Sequence, residues 1–268
     1  MHRLPKHNPG GSFGPRDGLG LQKALQEYKR MGDHYRRYLF ASKFCTDKTV
    51  LDLGCGHGLG RLVLGSLREY VGVDIDEQAL QWARKNLQPR LPFTQFVDLE
   101  GLRANLSDRL FDVVIAFEVV EHINDVIDFS KLIRNRMGTA SVALLSTPNG
   151  AFSHGNPDLY VTEYHLQEYS LEEFELILKT IGDNYRIFKE HRIDRLDVLW
   201  RKRQTTPHRT TIGSRIAPKG MNPIRLARSV VRLCLNGPIF WTIRAAESQD
   251  NADFSSLNYT TIIGLVQK

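Results

Sequence analysis

At 268 residues the chain is long enough to bury a substantial core, and a single domain is expected. The first twenty residues lack an apolar run of about seven, no stretch of about 18 apolar residues occurs, and Cys45, Cys55 and Cys234 are too scattered for a disulfide framework. No secretory signal, membrane span or zinc knuckle is therefore expected, and a reducing cytoplasm fits best, while the net charge of +6 is concentrated in residues 189–244, with thirteen Lys/Arg against three Asp/Glu.

Positions 1–17 read as a flexible arm rich in Pro, Gly and charge. From about 18 to 42, Leu21, Ala24, Leu25, Tyr28, Met31, Tyr35, Tyr38 and Leu39 fall near helical spacing and predict one N-terminal helix. Short apolar runs follow at TVLDLG (49–54), YVGVDI (70–75), FTQFVDL (93–99), FDVVIAFEVV (111–120) and SVALLST (141–147). Between them lie stretches such as DEQALQWARKNL, with helical period, an acidic first turn and Asp76 as the expected cap. Strands alternating with helices predict an α/β fold whose parallel sheet is covered on both faces. SLEEFELILKTIG follows, opened by a Ser170–Glu173 capping box and closed at Gly182, and a strand is expected near 185–189. The cofactor-binding core thus spans 48–190, a basic, Pro-punctuated insertion fills 191–257, and LNYTTIIGLVQK supplies the last strand, 258–268.

The stretch VLDLGCGHGLG carries the first functional signal. Glycines in the first strand-to-helix turn of an open α/β sheet let a ligand approach the backbone, beyond the carboxyl ends of the strands. The spacing Gly54-x-Gly56-x-Gly58 departs from the dinucleotide pattern, and Asp52 ahead of it would repel a pyrophosphate while suiting a ligand ammonium. The second strand ends in Asp74, about twenty residues on, where a carboxylate can accept both ribose hydroxyls. The third ends at Asp98, placed to accept from an exocyclic amine. An adenosine with a cationic amino-acid tail satisfies all three carboxylates.

These stretches resemble the class I S-adenosylmethionine-dependent methyltransferases: VLDLGCGHGLG their first motif, VGVDID the second, FVDLE the adenine-contact strand end and FDVVIAFEVVEHI the fourth, over roughly residues 33–182. The resemblance implies a Rossmann-like, seven-stranded, mostly parallel sheet with helices on both faces, YTTIIGLVQK being the final antiparallel strand. It also implies S-adenosyl-L-methionine as cofactor, with Asp52, Gly54, Cys55 and Gly56 at the methionine part, Asp74 and Ile75 at the ribose end, Asp98 and Leu99 at the adenine, and Phe117 beside them. Cys55 is expected to pack as a small residue in the turn and His57 to be exposed. DHYRRYLFA resembles a stretch ahead of the first motif in the bacterial and archaeal polysaccharide group, with Arg36 where that group more often has His. It implies that Arg37 and Tyr38 contact the cofactor carboxylate or close over it.

Candidates for chemistry cluster after the fourth strand, where Glu118, Glu121 and His122 are spaced to share one face of a helical turn and His165 can reach the same cleft. In one reading His122 or His165 is a general base. In another, Glu118, Glu121, His122 and His165 bind Mg²⁺ or Mn²⁺, as in the quinone-biosynthesis and small-RNA methyltransferases with similar ExxEH stretches. In a third, the glutamates cap the next helix and His122 packs under the sheet edge.

The basic segment, with NPIRLARSVVRLCLNGPIFW, reads as a helical lid, as an amphipathic surface for an anionic membrane or lipid carrier through 191–245, or, less favoured, as a nucleic-acid contact. The helix-one motif, the STPN exit with Asn149 and the H-x-x-E-Y-S segment all resemble the polysaccharide group. The expected function is therefore O-methylation of a sugar hydroxyl in a surface glycan or lipid-linked precursor by an enzyme in the cytoplasm or peripheral to the membrane. The alternatives are a ubiquinone-type phenolic O-methyltransferase, an RNA 2′-O-methyltransferase or a catalytically silent nucleotide-binding scaffold.

Overall fold

The computed structural model describes residues 21–150, 166–193, 240–245 and 259–268. The 1–17 arm, His165 and most of the basic insertion lie outside the described residues; the end of its expected helix, Phe240 and Trp241, opens a strand, Phe240–Ala245, instead. Contacts divide the chain into two compact units, Met1–Glu190 with Ile243–Lys268, and His191–Thr242.

The expected N-terminal helix is two helices, α1 (Leu21–Met31) and α2 (Asp33–Ala41). Gly32, at φ 74°, separates them, because a left-handed residue cannot continue an α-helix. The alternating elements then follow as β1 (Thr49–Leu53), β2 (Glu69–Val73), α3 (Glu77–Asn86), β3 (Thr94–Val97), α4 (Leu99–Asn105), β4 (Phe111–Phe117), α5 (Val126–Arg136) and β5 (Met137–Pro148). Helix α6 (Leu171–Ile181), β6 (Asn184–Ile193), β7 (Phe240–Ala245) and β8 (Tyr259–Gln267) complete the order.

Side-chain caps fix the helix starts. Asp76 accepts from Gln78 and Ala79 N–H, Asp98 from Gly101, Asp125 from Asp128, and Ser170 and Glu173 form the expected capping box.

The sheet runs β3-β2-β1-β4-β5-β8-β6-β7. Strands β1 to β5 pair in parallel and β8 is antiparallel to β5, so the seven-stranded, mostly parallel Rossmann-like expectation holds. Strand β7 extends the count, formed by FWTIRA, whose aromatic and β-branched residues favour an extended backbone. β1 is buried from Val50 to Leu53 because helices cover both sides of the sheet. On one side Leu102, Ile133, Phe174 and Leu178 bring α4, α5 and α6 onto it. On the other, Ala24, Tyr38, Leu80 and Ala83 bring α1, α2 and α3.

Chain order reverses between β1 and β4, so the crevice forms beyond their carboxyl ends, between the glycine turn and Glu118. The turn admits no side chain at Gly60, where a Cβ would overlap the ring of Tyr38. Gly60→Ala is therefore expected to cost about 1–3 kcal/mol in urea denaturation. Gly138→Ala, whose Cβ would meet its nearest atom at 3.6 Å, is expected to stay within about 0.5 kcal/mol of the parent. Equal losses would contradict the packing described.

Candidate active site

The glycine turn leaves β1 and is tied to the end of β2. The N–H groups of Gly54 and Cys55 both donate to the Val73 carbonyl, at 2.8 and 3.0 Å, and Gly56 N–H donates to Asp74 Oδ2 at 2.6 Å. Asp74 Oδ1 accepts from Asp76 N–H at 2.9 Å, so a single carboxylate joins the turn to the start of α3. Gly56 sits at φ 53°, and a Cβ there would have no atom within 4 Å. Its backbone thus faces open space, which is what a ligand approaching the main chain needs. Beside it Ile75 leaves 77% of its surface exposed, an apolar side chain with nothing to cover it. Asp98 is exposed at the end of β3 and Leu99 is half-buried behind it. An adenosyl ligand with an amino-acid tail fits this crevice: open backbone at Gly56, a carboxylate at Asp74, an apolar face at Ile75.

Three expected ligand contacts lie elsewhere. Asp52 is fully buried below the turn, accepting from Tyr38 Oη at 3.1 and 3.0 Å and from Tyr70 Oη at 2.6 Å, so two phenols engage the carboxylate expected for a ligand ammonium. Burial pushes this carboxyl up to about 7, against the two phenol hydrogen bonds that lower it, while Asp74 raises it further. Tyr38 is buried too, its ring edge-on to Phe117 at 5.3 Å, which leaves Phe117 only 5% exposed at the end of β4.

Arg37, the third, is 2% exposed: Nε donates to Glu190 Oε2 at 2.9 Å, Nη2 to Thr261 Oγ1 at 3.5 Å, and Nη1 lies 3.3 Å from Glu118 Oε1. Burial works against its charge, but Glu118, Glu190 and Asp33 outweigh burial and hold the guanidinium above its ordinary value. The chain's own carboxylates thus take the place expected for a cofactor carboxylate.

Cys55 is buried as expected, with Sγ 2.9 Å from where a Cβ of Gly72 would stand. His57 is half-buried rather than exposed, its ring edge-on to Trp82 at 5.7 Å, and desolvation lowers its pKa.

The ExxEH stretch does not form the expected helical face. Glu118 has φ 54°, a left-handed conformation that costs a residue of its type of order 1 kcal/mol or more, and only Val120–His122 makes a short 3₁₀ turn. The three side chains consequently diverge. Glu118 turns toward Arg37 and accepts from Ser146 Oγ at 2.8 Å, Glu121 is fully buried against Thr147 Oγ1 at 3.3 Å, and His122 is exposed. Burial first, then the charge of Glu118, pushes the Glu121 carboxyl well above the usual range. Of the residues expected to bind Mg²⁺ or Mn²⁺, the described ones, Glu118, Glu121 and His122, do not gather into a site, and among the described residues no group of three or more His, Cys, Asp or Glu could hold a metal ion.

Tyr70, Ser146, Thr147, Glu190 and Thr261 join the site without having been singled out in the sequence. Ser146 and Thr147 alone carried a signal, as the first two residues of the STPN exit.

The crevice, the reversal between β1 and β4 and the glycine turn define the class of open α/β folds that bind ligands beyond the carboxyl edge of the sheet. A family described as methyltransferase domain matches residues 23–186, more than half of the sequence, and the chain belongs to it. A protein described as a probable S-adenosylmethionine-dependent methyltransferase of Mycobacterium tuberculosis is 31% identical over 140 residues, 52% of this chain and 49% of that protein. The ubiquinone biosynthesis O-methyltransferase of Rickettsia akari is 29% identical over 165 residues, 59% of this chain and 61% of that protein. The chain spans about half the length of the first of these relatives. The crystal structure of a SAM-dependent methyltransferase from Archaeoglobus fulgidus superposes with a TM-score of 0.52 at 19% identity, covering 91% of this chain and 98% of that one, a likeness of fold. No described helix is long and apolar enough to cross a membrane.

Asp52 makes stability depend on pH. Its folded value, about 7, lies above the ordinary 3.8, so the stabilisation it contributes is complete below 3.8 and is lost as pH rises through 7. Urea denaturation at pH 4.5 and 8 is expected to show Asp52→Asn free of that loss, the difference between the two proteins changing by up to ~3 kcal/mol. A difference constant with pH would contradict the burial of an uncompensated carboxyl.

Proposed function

We propose that the chain transfers a methyl group from S-adenosylmethionine to oxygen, with a sugar hydroxyl of a surface glycan or its lipid-linked precursor as acceptor. The open backbone at Gly56, flanked by Asp74 and the uncovered Ile75, carries the donor part of this reading. Bound there, the donor supplies an electrophilic sulfonium methyl, and the protein's task is alignment.

Gly54 and Gly56 hold the amino-acid end through the main chain. Asp74 accepts the ribose hydroxyls on lone pairs left over from its two backbone bonds, Ile75 packs on the adenine, and Asp98 with Leu99 borders its edge. At the exit of β4, Glu118 orients the acceptor hydroxyl and receives its proton, held by Ser146 and Arg37 in a strained backbone.

Asn149 stands buried at the β5 exit, its backbone bridged to Tyr169, and a polar residue there suits a sugar better than an aromatic ring. The sequence likeness of α2, the STPN exit and the H-x-x-E-Y-S segment to the polysaccharide group supports the same acceptor. The basic amphipathic segment at 191–245 suits contact with a lipid carrier at the cytoplasmic face of a membrane. The Rickettsia akari relative favours a second reading, a phenolic acceptor of the quinone type.

Incubation with methyl-labelled donor and extracts divided into glycan, quinone-precursor and RNA fractions tests the acceptor. Label in the glycan fraction is expected, whereas label in the phenolic fraction establishes the second reading. Asp74→Ala should weaken S-adenosylhomocysteine binding by at least about 2 kcal/mol in calorimetric titration. Glu118→Gln should lower kcat by about 10²–10⁴ while leaving that affinity within about threefold, and a retained kcat would remove Glu118 from the chemistry.

A further inference from the structure

Asp52 is the charge that the proposed chemistry leaves unused. It stands two residues before Gly54, fully buried, and among the described residues its oxygens accept from the phenols of Tyr38 and Tyr70. The ionisable groups facing it are Tyr28 from α1, Tyr38 from α2, Cys45 after α2, Tyr70 from β2, and Cys55 and Asp74 at the turn. None of these is a cation. Arg61 lies against the Tyr70 ring, but its Nε donates to Thr94 and its Nη1 to the Gly65 carbonyl. A buried carboxylate without a counter-ion is costly, and a cation arriving nearby favours its ionised form.

The same hydrogen bonds build the turn that a ligand would occupy. Tyr38 fills the space that a Cβ at Gly60 would need, and Tyr70 packs edge-on at 5.7 Å against Phe96, which fills the corresponding space at Gly58. Asp52 therefore lies directly beneath the ligand-facing backbone, coupled to it by packing and by charge.

From this placement, and resting on the reading of the crevice as a site for S-adenosylmethionine, we infer that Asp52 is a specificity-determining residue for the charge of the ligand. Its carboxyl releases a proton when the cationic sulfonium donor enters, so the site prefers that donor to the uncharged thioether product. The carboxyl O–H bond is the only bond broken, and the proton passes to solvent. Asp52 acts through the turn and through space, without contact.

The carboxyl titrates near pH 7, so it is part-protonated at neutral pH and has a proton to lose. Since the cation favours the ionised carboxylate, donor affinity rises with pH through this range. His57, in the same turn, is shifted below 6.5 and is largely neutral at pH 7, so it is not the source of the proton.

Calorimetric titration at pH 7 in phosphate and in Tris, whose ionisation enthalpies differ, counts the protons released. S-adenosylmethionine is expected to release up to about half a proton per site and S-adenosylhomocysteine clearly less. The ratio of the two affinities should rise roughly threefold to tenfold between pH 6 and 8. Asp52→Asn should abolish both the release and the pH dependence, while His57→Gln should keep them. Should Asp52→Asn not fold, Tyr70→Phe removes one stabilising donor and should move the release to higher pH. Binding without proton release, release that survives Asp52→Asn, or a Tyr70→Phe profile identical to the parent overturns the inference. Failure of both ligands to bind overturns the donor site itself.

Discussion

The crevice depends on the 2.6 Å hydrogen bond from Gly56 N–H to Asp74. A left-handed glycine in an otherwise open turn would sample many conformations, and this charge-assisted contact selects one. The other oxygen of Asp74 takes the Asp76 N–H, and Asp76 in turn caps α3, so one short relay orders the end of β2, the turn and the following helix. The backbone of Gly56 is left facing open space because Asp74 holds it there from one side only.

Below that relay the fold places charges where water cannot reach them. Asp52 is satisfied by two phenols and Arg37 is surrounded by carboxylates from α2, the exit of β4 and β6, yet the two networks serve different ends. The Arg37 network is a compensated one, in which the guanidinium stays charged and aims Glu118 toward the exit of β4. Asp52 has only neutral donors and stays close to its titration point, which makes it responsive to a charge above it. Stability is given up at both places, through burial of charge and through the φ 54° backbone of Glu118, and both border the crevice.

The fold was legible because its signals are local. Strand and helix periods, the Asp76 cap and the Ser170–Glu173 box all depend on residues within one or two turns of each other, and each appears in the structure as read. The break at Gly32 was equally local, a glycine followed by a helix-starting aspartate, but apolar spacing that carries on across it masked the stop. Roles within the site were less legible. Arg37 is decided by Glu190 and Thr261, 153 and 224 positions away, and no spacing rule reaches that far. Glu118, Glu121 and His122 looked like one helical face only on the assumption of right-handed backbone at Glu118, and its positive φ turned the three side chains apart. Asp52 was read as a carboxylate for a ligand ammonium, but its hydrogen bonds go to Tyr38 and to Tyr70, a residue of the neighbouring strand that no local spacing points to.

The central claim is that the turn at Gly56 is a binding site for the adenosyl donor, ordered by Asp74 and lined by Ile75. A crystal structure of the protein with S-adenosylhomocysteine tests it most directly. The account predicts ligand density over Gly56, with the ribose hydroxyls on Asp74, the adenine against Ile75 and the Asp52 side chain still bonded to Tyr38 and Tyr70 beneath. Density elsewhere, or an Asp52 side chain swung out to meet the ligand ammonium, would contradict it.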